Sequence, residues 1–204
     1  AANMSTIVKS FVTADRSITM PLEQSKARTP KEDPPATVSV NNDPPVIFVN
    51  THSTILLQLQ GPPQKSATGK ANLQYVMNAN YPLFIDNSSS TYYLYDGLEW
   101  RKSAATSGPW TFTKKLPSSL VSLAKDTSWS NLKGLIPAVS QPNANMPDVY
   151  YSEQLAEMIL FNGQPVYQSI AGTSLKYATN TDSEFFLNSN NNTYYFLTSG
   201  RWFS

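Results

Sequence analysis

Tyrosine and tryptophan side chains recur in two similar groups, and they are the strongest candidates for binding a ligand. Exposed aromatic rings stack on the faces of sugars, while nearby amides and hydroxyls bind the sugar hydroxyls. Both kinds of side chain are plentiful in this sequence. The pattern therefore favours a glycan site built from the following aromatic residues: Tyr92, Tyr93, Tyr95, Trp110, Tyr194 and Tyr195.

A packing role competes with ligand binding for the same rings. Successive side chains of a β-strand point to opposite faces of the sheet, so the two tyrosines of each Tyr-Tyr pair cannot share one face. The sequence does not show which tyrosine of each pair points outward. We expect Trp100 and Trp202, each placed after a hairpin turn, to be structural residues that fill the cores of small modules.

Catalytic chemistry has few candidate residues. His52 is the single histidine, no serine lies in a Gly-x-Ser-x-Gly motif, and there is no cysteine. The carboxylates that might form a glycosidase pair are scattered, and Asp182 and Glu184 align with Asn80 and Pro82 in the other aromatic group. The spacing of Asp182 with its neighbours fits no standard calcium loop. We predict a protein that is not an enzyme and that has no metal site and no cofactor.

The overall composition excludes two further classes of function. Charged residues make up 14% of the chain, and the formal net charge is only +1, with no dense run of lysine and arginine. The electrostatic footprint of a nucleic-acid-binding protein is therefore missing. No apolar run approaches the length of a membrane-spanning helix. A weakly charged surface rich in Ser, Thr, Asn and Gln suits a secreted, cell-surface or periplasmic protein.

An internal duplication organises the chain. Shifting the sequence by 102 residues, the distance from Trp100 to Trp202, aligns rare residue types without a gap. Identical pairs include Pro45/Pro147, Gly61/Gly163, Pro63/Pro165, Leu73/Leu175, Tyr75/Tyr177, Asn78/Asn180, Phe84/Phe186, Tyr92/Tyr194, Tyr93/Tyr195 and Trp100/Trp202. We infer two copies of one small module.

The duplication resolves one ambiguous segment. Residues 153–161 have helical spacing, but the equivalent residues 51–59 are β-branched and end in apolar/polar alternation, which favours a strand. We predict a short turn followed by a strand in both copies, ending near Gly61 and Gly163. Further strands are predicted at 73–77, 82–86, 91–95 and 98–102, and at 175–179, 184–188, 193–197 and 201–203. Asp96-Gly97 and Ser199-Gly200 are the predicted turns of the last hairpin in each copy.

The predicted fold class is all-β, with two tandem barrel- or sandwich-like modules and a short helix between them. Residues 1–44 hold an N-terminal segment with two strands within 7–22 and an exposed, mobile Pro/charge-rich linker at 26–36. Copy one spans 45–115, and copy two spans 147–204. The connector, 116–146, contains a helix at 120–125 capped by Ser118 or Ser119, followed by an extended linker.

Copy two is shorter than copy one. Copy one continues past Trp100 through Gly108, Pro109 and Trp110 to another strand, whereas the sequence given stops two residues after Trp202. We expect the sheet of copy two to lack its last strand. An unpaired sheet edge invites pairing with another chain.

A series of short motifs runs from Asn42-Asp43-Pro44-Pro45-Val46-Ile47-Phe48 to Ser199-Gly200-Arg201-Trp202-Phe203. Over residues 42–204 the sequence therefore resembles large exported bacterial proteins labelled "carbohydrate-binding family V/XII". The resemblance implies an exported β module that binds carbohydrate, without defined binding residues. Because the repeat units of those proteins continue past the tryptophan, the early end of copy two suggests a fragment of a longer chain.

Three hypotheses for the function follow. The first is a non-catalytic extracellular or periplasmic binding module, with a polysaccharide as the favoured partner. The second is a structural subunit of an extracellular assembly or filament that self-associates through sheet edges by β-strand pairing. The third is a fragment of a longer exported enzyme. None of the three involves nucleic acid or a membrane span.

Overall fold

Short β-strands make up most of the regular structure, as expected from the alternating patterns. A computed structural model describes residues 44–139 and 141–204. The strands predicted within 7–22 and the linker predicted at 26–36 lie outside the described residues. The all-β class and the short helix between the copies are confirmed. Each large sheet stays open, and no sheet in the described ranges closes into a barrel.

Copy one consists of two strands followed by a six-stranded antiparallel meander. The bounds are β1 Val46–Asn50, β2 Thr54–Gln58, β3 Lys65–Ala67, β4 Leu73–Val76, β5 Leu83–Asp86, β6 Thr91–Tyr95, β7 Trp100–Ser103 and β8 Thr111–Phe112. The segment at 51–59 is therefore a turn and a strand, as the comparison of the copies predicted.

Copy two repeats this order with one strand fewer among the described residues. The bounds are β9 Asp148–Ser152, β10 Ala156–Leu160, β11 Tyr167–Ser169, β12 Leu175–Ala178, β13 Phe185–Asn188, β14 Thr193–Thr198 and β15 Arg201–Phe203. β11 to β15 form a five-stranded antiparallel meander. Within the described part of the chain, no strand in copy two corresponds to β8, so the outer edge of β15 is unpaired.

The first two strands of each copy pair with the other copy. β1 runs parallel to β10 with Val46 opposite Ala156, and β2 runs parallel to β9 with Thr54 opposite Asp148. Because Val46 corresponds to Asp148 and Thr54 to Ala156, the two pairings are equivalent by the repeat. The copies thus exchange strands reciprocally within one chain.

Each copy contributes to the core of the other. In copy one, Leu57 and Leu59 pack beneath the six-stranded sheet together with Val149 and Tyr151 from β9. In copy two, the corresponding core receives Ile47 from β1. The Tyr151 hydroxyl donates a hydrogen bond to Glu153 and accepts one from Thr106 of copy one. Burial, reinforced by the bond to Glu153, raises the pKa of Tyr151 to about 12.

A pair of equivalent asparagines holds the strand ends in both copies. The Asn78 side-chain amide donates to the carbonyls of Gln60 and Pro62, each at 3.0 Å, and its carbonyl accepts from the Gln64 amide. Asn180 makes the same set of bonds in copy two. These bonds satisfy backbone groups that the sheets leave unpaired, which explains why the duplication retains asparagine here.

The connector between the copies contains an α-helix, α1 (Ser118–Leu123), and a 3₁₀ helix (Thr127–Leu132) with a kink at Trp129. The predicted serine cap is wrong. Pro117 occupies the N-cap position, Ser118 is already helical, and no side chain caps the helix. Both helices are far too short to span a membrane, and no described helix could do so.

Candidate functional site

The aromatic residues of copy one lie on two different faces of the six-stranded sheet. Tyr93, Tyr95 and Trp100 lie on the face that packs against the connector. Tyr92 and Trp110 pack on the opposite face, against the core that β2 and β9 complete. The structure therefore does not bring the predicted ligand-binding rings of copy one together on one exposed surface.

One face of the copy-one sheet is covered by the connector. We call it the covered face and define it by the following side chains: Leu73, Tyr75, Phe84, Tyr93, Tyr95 and Trp100. Leu120, Leu123 and Leu132 of the connector are buried against it. Trp100 is 0% exposed, and its indole Nε1 donates to the Leu135 carbonyl at 2.7 Å. Burial raises the pKa of Tyr93, with a further contribution from the Asp86 carboxylate.

The equivalent face of the copy-two sheet has no such cover from the described residues. We call it the open face and define it by Leu175, Tyr177, Phe186, Tyr195, Leu197 and Trp202. Its cross-strand pairs, such as Phe186 with Tyr195 and Leu197 with Trp202, match those of the covered face in register. Leu175, Phe186, Tyr195 and Trp202 line a shallow cavity of about 350 Å³.

Trp202 lies in surroundings unlike those of Trp100. It is 55% exposed and contacts the Phe186 ring edge-to-face at 5.4 Å. The expectation that it fills a core was based on its equivalence to Trp100. The sheet position is equivalent, but among the described residues no segment covers Trp202 as the connector covers Trp100.

The two tyrosines of each Tyr-Tyr pair lie on opposite faces of the sheet, as the alternation of side chains along a β-strand requires. Tyr195 lies on the open face, next to Trp202. Tyr194 lies on the opposite face, where it stacks on Phe185 at 5.5 Å and is 49% exposed. The two tyrosines of copy two are thus separated by the thickness of the sheet.

A buried charge cluster stabilises the β6–β7 hairpin of copy one. Arg101 Nε donates to Asp96 Oδ2, and both side chains are almost fully buried. Asp96 Oδ1 also accepts from the backbone amides of Leu98 and Glu99. The sequence predicted the Asp96-Gly97 turn but not the ion pair, which copy two replaces with Thr198 and Phe203.

A polar cleft lies where the β1–β2 turn meets the second copy. It has a volume of about 860 Å³, and its lining includes His52, Asn162, Asn180, Thr181 and Asp182. A smaller cleft of about 400 Å³ occupies the equivalent position in copy one. At the β1–β2 turn, His52 Nε2 lies 2.5 Å from Asp148 Oδ2, and both side chains are largely exposed.

Among residues 44–139 and 141–204, no three His, Asp or Glu side chains are grouped closely enough to hold a metal ion. Comparisons with protein-family models, with curated proteins and with solved structures gave no match to this chain. The resemblance to exported proteins labelled carbohydrate-binding stays a prediction. The geometry of the open face and of the polar cleft is therefore the only guide to what these sites bind.

The sequence indicated which residues form the open face but not that the connector leaves this face uncovered. The duplication identified the equivalent aromatic residues correctly. It could not show that the connector covers one set, because a short run of apolar residues does not specify the surface on which it packs.

Proposed function

We propose that this chain is a non-catalytic assembly module that binds another polypeptide through the open face of its second sheet. The proposal rests on one observation. The open face repeats the side chains of a face that packs against the connector in copy one, yet Trp202, on the edge strand β15, is 55% exposed. Exposed apolar surfaces of this kind mark protein interaction sites.

The chemistry of the open face favours a polypeptide over a sugar. The four side chains that line its cavity offer two polar atoms, the Tyr195 hydroxyl and the Trp202 indole nitrogen. Sugar sites combine an aromatic platform with several polar groups that bind the sugar hydroxyls. Tryptophan and tyrosine with few polar neighbours are instead typical of the centre of a protein interface.

The outer edge of β15, which pairs with no described strand, supports the same proposal. In copy one, β7 pairs with β8, whereas the equivalent β15 has no outer neighbour among the described strands. An exposed edge can add a strand from another chain by backbone hydrogen bonding. A partner on the open face could therefore extend onto this edge. Such assembly suits the secreted, cell-surface or periplasmic setting that the weakly charged composition favours.

Selection of peptides from a random library displayed on phage tests the proposal. We expect the chain to enrich peptides that bind it at least about tenfold more tightly than they bind the double variant Trp202→Ala/Tyr195→Ala. The matched control is Leu155→Ser, which removes a side chain that is 65% exposed in the β9–β10 turn. It should leave binding unchanged. Failure to enrich any peptide that depends on Trp202 and Tyr195 would contradict the proposal.

Glycan binding is a second candidate, favoured by the polar cleft rather than by the aromatic residues. Amide, hydroxyl and carboxylate groups of Asn162, Thr181 and Asp182 line that cleft and are suited to sugar hydroxyls. We expect the chain to be retarded in affinity gels containing a polysaccharide, and Asp182→Ala to reduce the retardation at least about threefold. Asn190→Ala, in the exposed β13–β14 turn, should have no effect. Equal retardation of all three proteins would count against this candidate.

A further inference from the structure

We infer that the partner on the open face is a polypeptide segment with the apolar pattern of residues 116–138. This inference rests on the proposed function and adds the chemistry of the partner. In copy one, the connector packs on a sheet face of nearly the same composition and buries its apolar side chains. The open face would bind a segment of the same type in the same manner.

The two faces are nearly the same surface. Five of their six side chains are identical between the copies, and the exception is Leu197 in place of Tyr95. The cross-strand registers are also the same, so the equivalent rings lie in equivalent positions. Trp202 is 55% exposed and the other five side chains of the open face are half-buried, whereas Leu73, Phe84 and Trp100 of the covered face are buried. A partner on the open face would bury its rings as the connector buries those of the covered face.

The connector shows what the partner must offer. Leu120 and Leu123, three residues apart on α1, are both buried against the covered face. Leu132 of the 3₁₀ helix is buried beside them, and Trp129 contacts Phe84 with ring centroids 5.8 Å apart. The partner segment therefore presents a short amphipathic helix with leucines at this spacing, followed by a tight turn bearing apolar side chains.

One polar contact fixes how such a segment sits. The Trp100 indole donates to the Leu135 carbonyl just after the 3₁₀ helix. Trp202 has the same place in its sheet, so its indole nitrogen would donate to the corresponding carbonyl of the partner. A buried indole N–H needs such an acceptor, which favours a polypeptide whose backbone is free at that point.

One contact of the connector is not required of the partner. Lys70 lies 3.8 Å from Asp126 and joins the connector to copy one. Its equivalent in copy two is Gly172, which cannot form that ion pair. The partner segment therefore needs the leucine pattern but no acidic residue at the position of Asp126.

A peptide with the sequence of residues 114–139 tests the inference on the full chain. Because the connector fills the covered face, we expect saturable binding of one fluorescein-labelled peptide per chain, measured by fluorescence anisotropy. Trp202→Ala should weaken binding at least about tenfold. Tyr194→Ala changes the opposite face of the same sheet and should stay within about twofold. A peptide carrying Leu120→Asp and Leu123→Asp should bind at least about tenfold more weakly.

A second experiment joins the segment to the chain, so that the test does not depend on how tightly the free peptide binds. Ser204 aligns with Lys102, so residues 103–139 appended after Ser204 continue the repeat in register. We expect this extended chain to lose binding of the labelled peptide at least about tenfold and to protect the amides of β14 and β15 from hydrogen exchange. The same extension carrying Leu120→Asp and Leu123→Asp in the appended copy should do neither.

The outcomes separate this inference from the proposed function. Peptides selected on the open face, combined with no binding of the 114–139 peptide up to about 1 mM and no protection by the extension, would overturn the inference alone. Concentration-dependent self-association that Trp202→Ala abolishes and that an excess of the 114–139 peptide does not displace would also overturn it, because a different surface of a second copy would then occupy the face. If no peptide of any sequence depends on Trp202, both fail together.

Discussion

Replacing Trp100 with alanine is expected to lower the free energy of unfolding by about 3–5 kcal/mol. The equivalent change, Trp202→Ala, is expected to cost less than about 1 kcal/mol. The two tryptophans occupy the same position in equivalent sheets. The difference between the two losses of unfolding free energy therefore measures the contribution of packing against the connector. Urea titrations followed by circular dichroism would measure both changes.

The difference arises from burial and from one hydrogen bond. Trp100 is 0% exposed among Phe84, Tyr95 and the connector leucines, and truncation leaves a large cavity between sheet and connector. It also leaves the half-buried Leu135 carbonyl without its donor. Trp202 is half-exposed, and its removal opens no enclosed space. Equal losses in the two variants would show that the connector does not seal the covered face.

The second large effect concerns the buried charges of the β6–β7 hairpin. We expect Asp96→Ala to lower the free energy of unfolding by about 3–5 kcal/mol, because it leaves Arg101 buried without its carboxylate partner. The backbone amides of Leu98 and Glu99 lose their acceptor as well. The same change at the equivalent position of copy two, Thr198→Ala, removes one hydrogen bond to the Glu157 carboxylate but no ion pair, and it should cost only about 1–2 kcal/mol.

A double-mutant cycle checks the cause of that loss. Replacing both charges, as in Asp96→Leu/Arg101→Met, should recover much of the stability lost in Asp96→Ala, because no buried guanidinium is left without its Asp96 partner. A loss below about 1 kcal/mol for Asp96→Ala would contradict the prediction. It would mean that Glu99, buried beside the pair, serves as the partner of Arg101 instead.

The element types could be predicted from the sequence wherever the two copies corrected each other. Residues 153–161 alone resemble a helix, and only their alignment with 51–59 reveals the strand that the structure contains as β10. The hairpin turns could be predicted equally well, since Gly97 and Gly200 adopt the positive φ that these turns need. These features depend on local chemistry, which the sequence records directly.

The strand exchange could not be predicted, for a physical reason. Val46 would meet an apolar or β-branched strand whether it paired with β2 of its own copy or with β10 of the other. Both partners have the same pattern, so the pattern cannot discriminate between them. The choice between the two partners therefore depends on long-range packing, which a local pattern does not encode.

The same limit applies to the candidate site. The aromatic residues were identified by type, but their exposure depends on which face receives the connector. Leu120 and Leu123 were expected in a helix, and the structure places them there. Their spacing predicts an apolar helix face without naming the sheet that it meets.

The reciprocal pairing of β1 with β10 and of β2 with β9 has a consequence for synthesis on the ribosome. The core of copy one stays incomplete until Val149 and Tyr151 have left the exit tunnel, so one side of the cluster around Leu57 and Leu59 lacks its cover in the growing chain. Elongation at about 5–20 residues per second makes that interval several seconds long. During this interval the unfinished apolar cluster is a site at which growing chains can aggregate or bind chaperones.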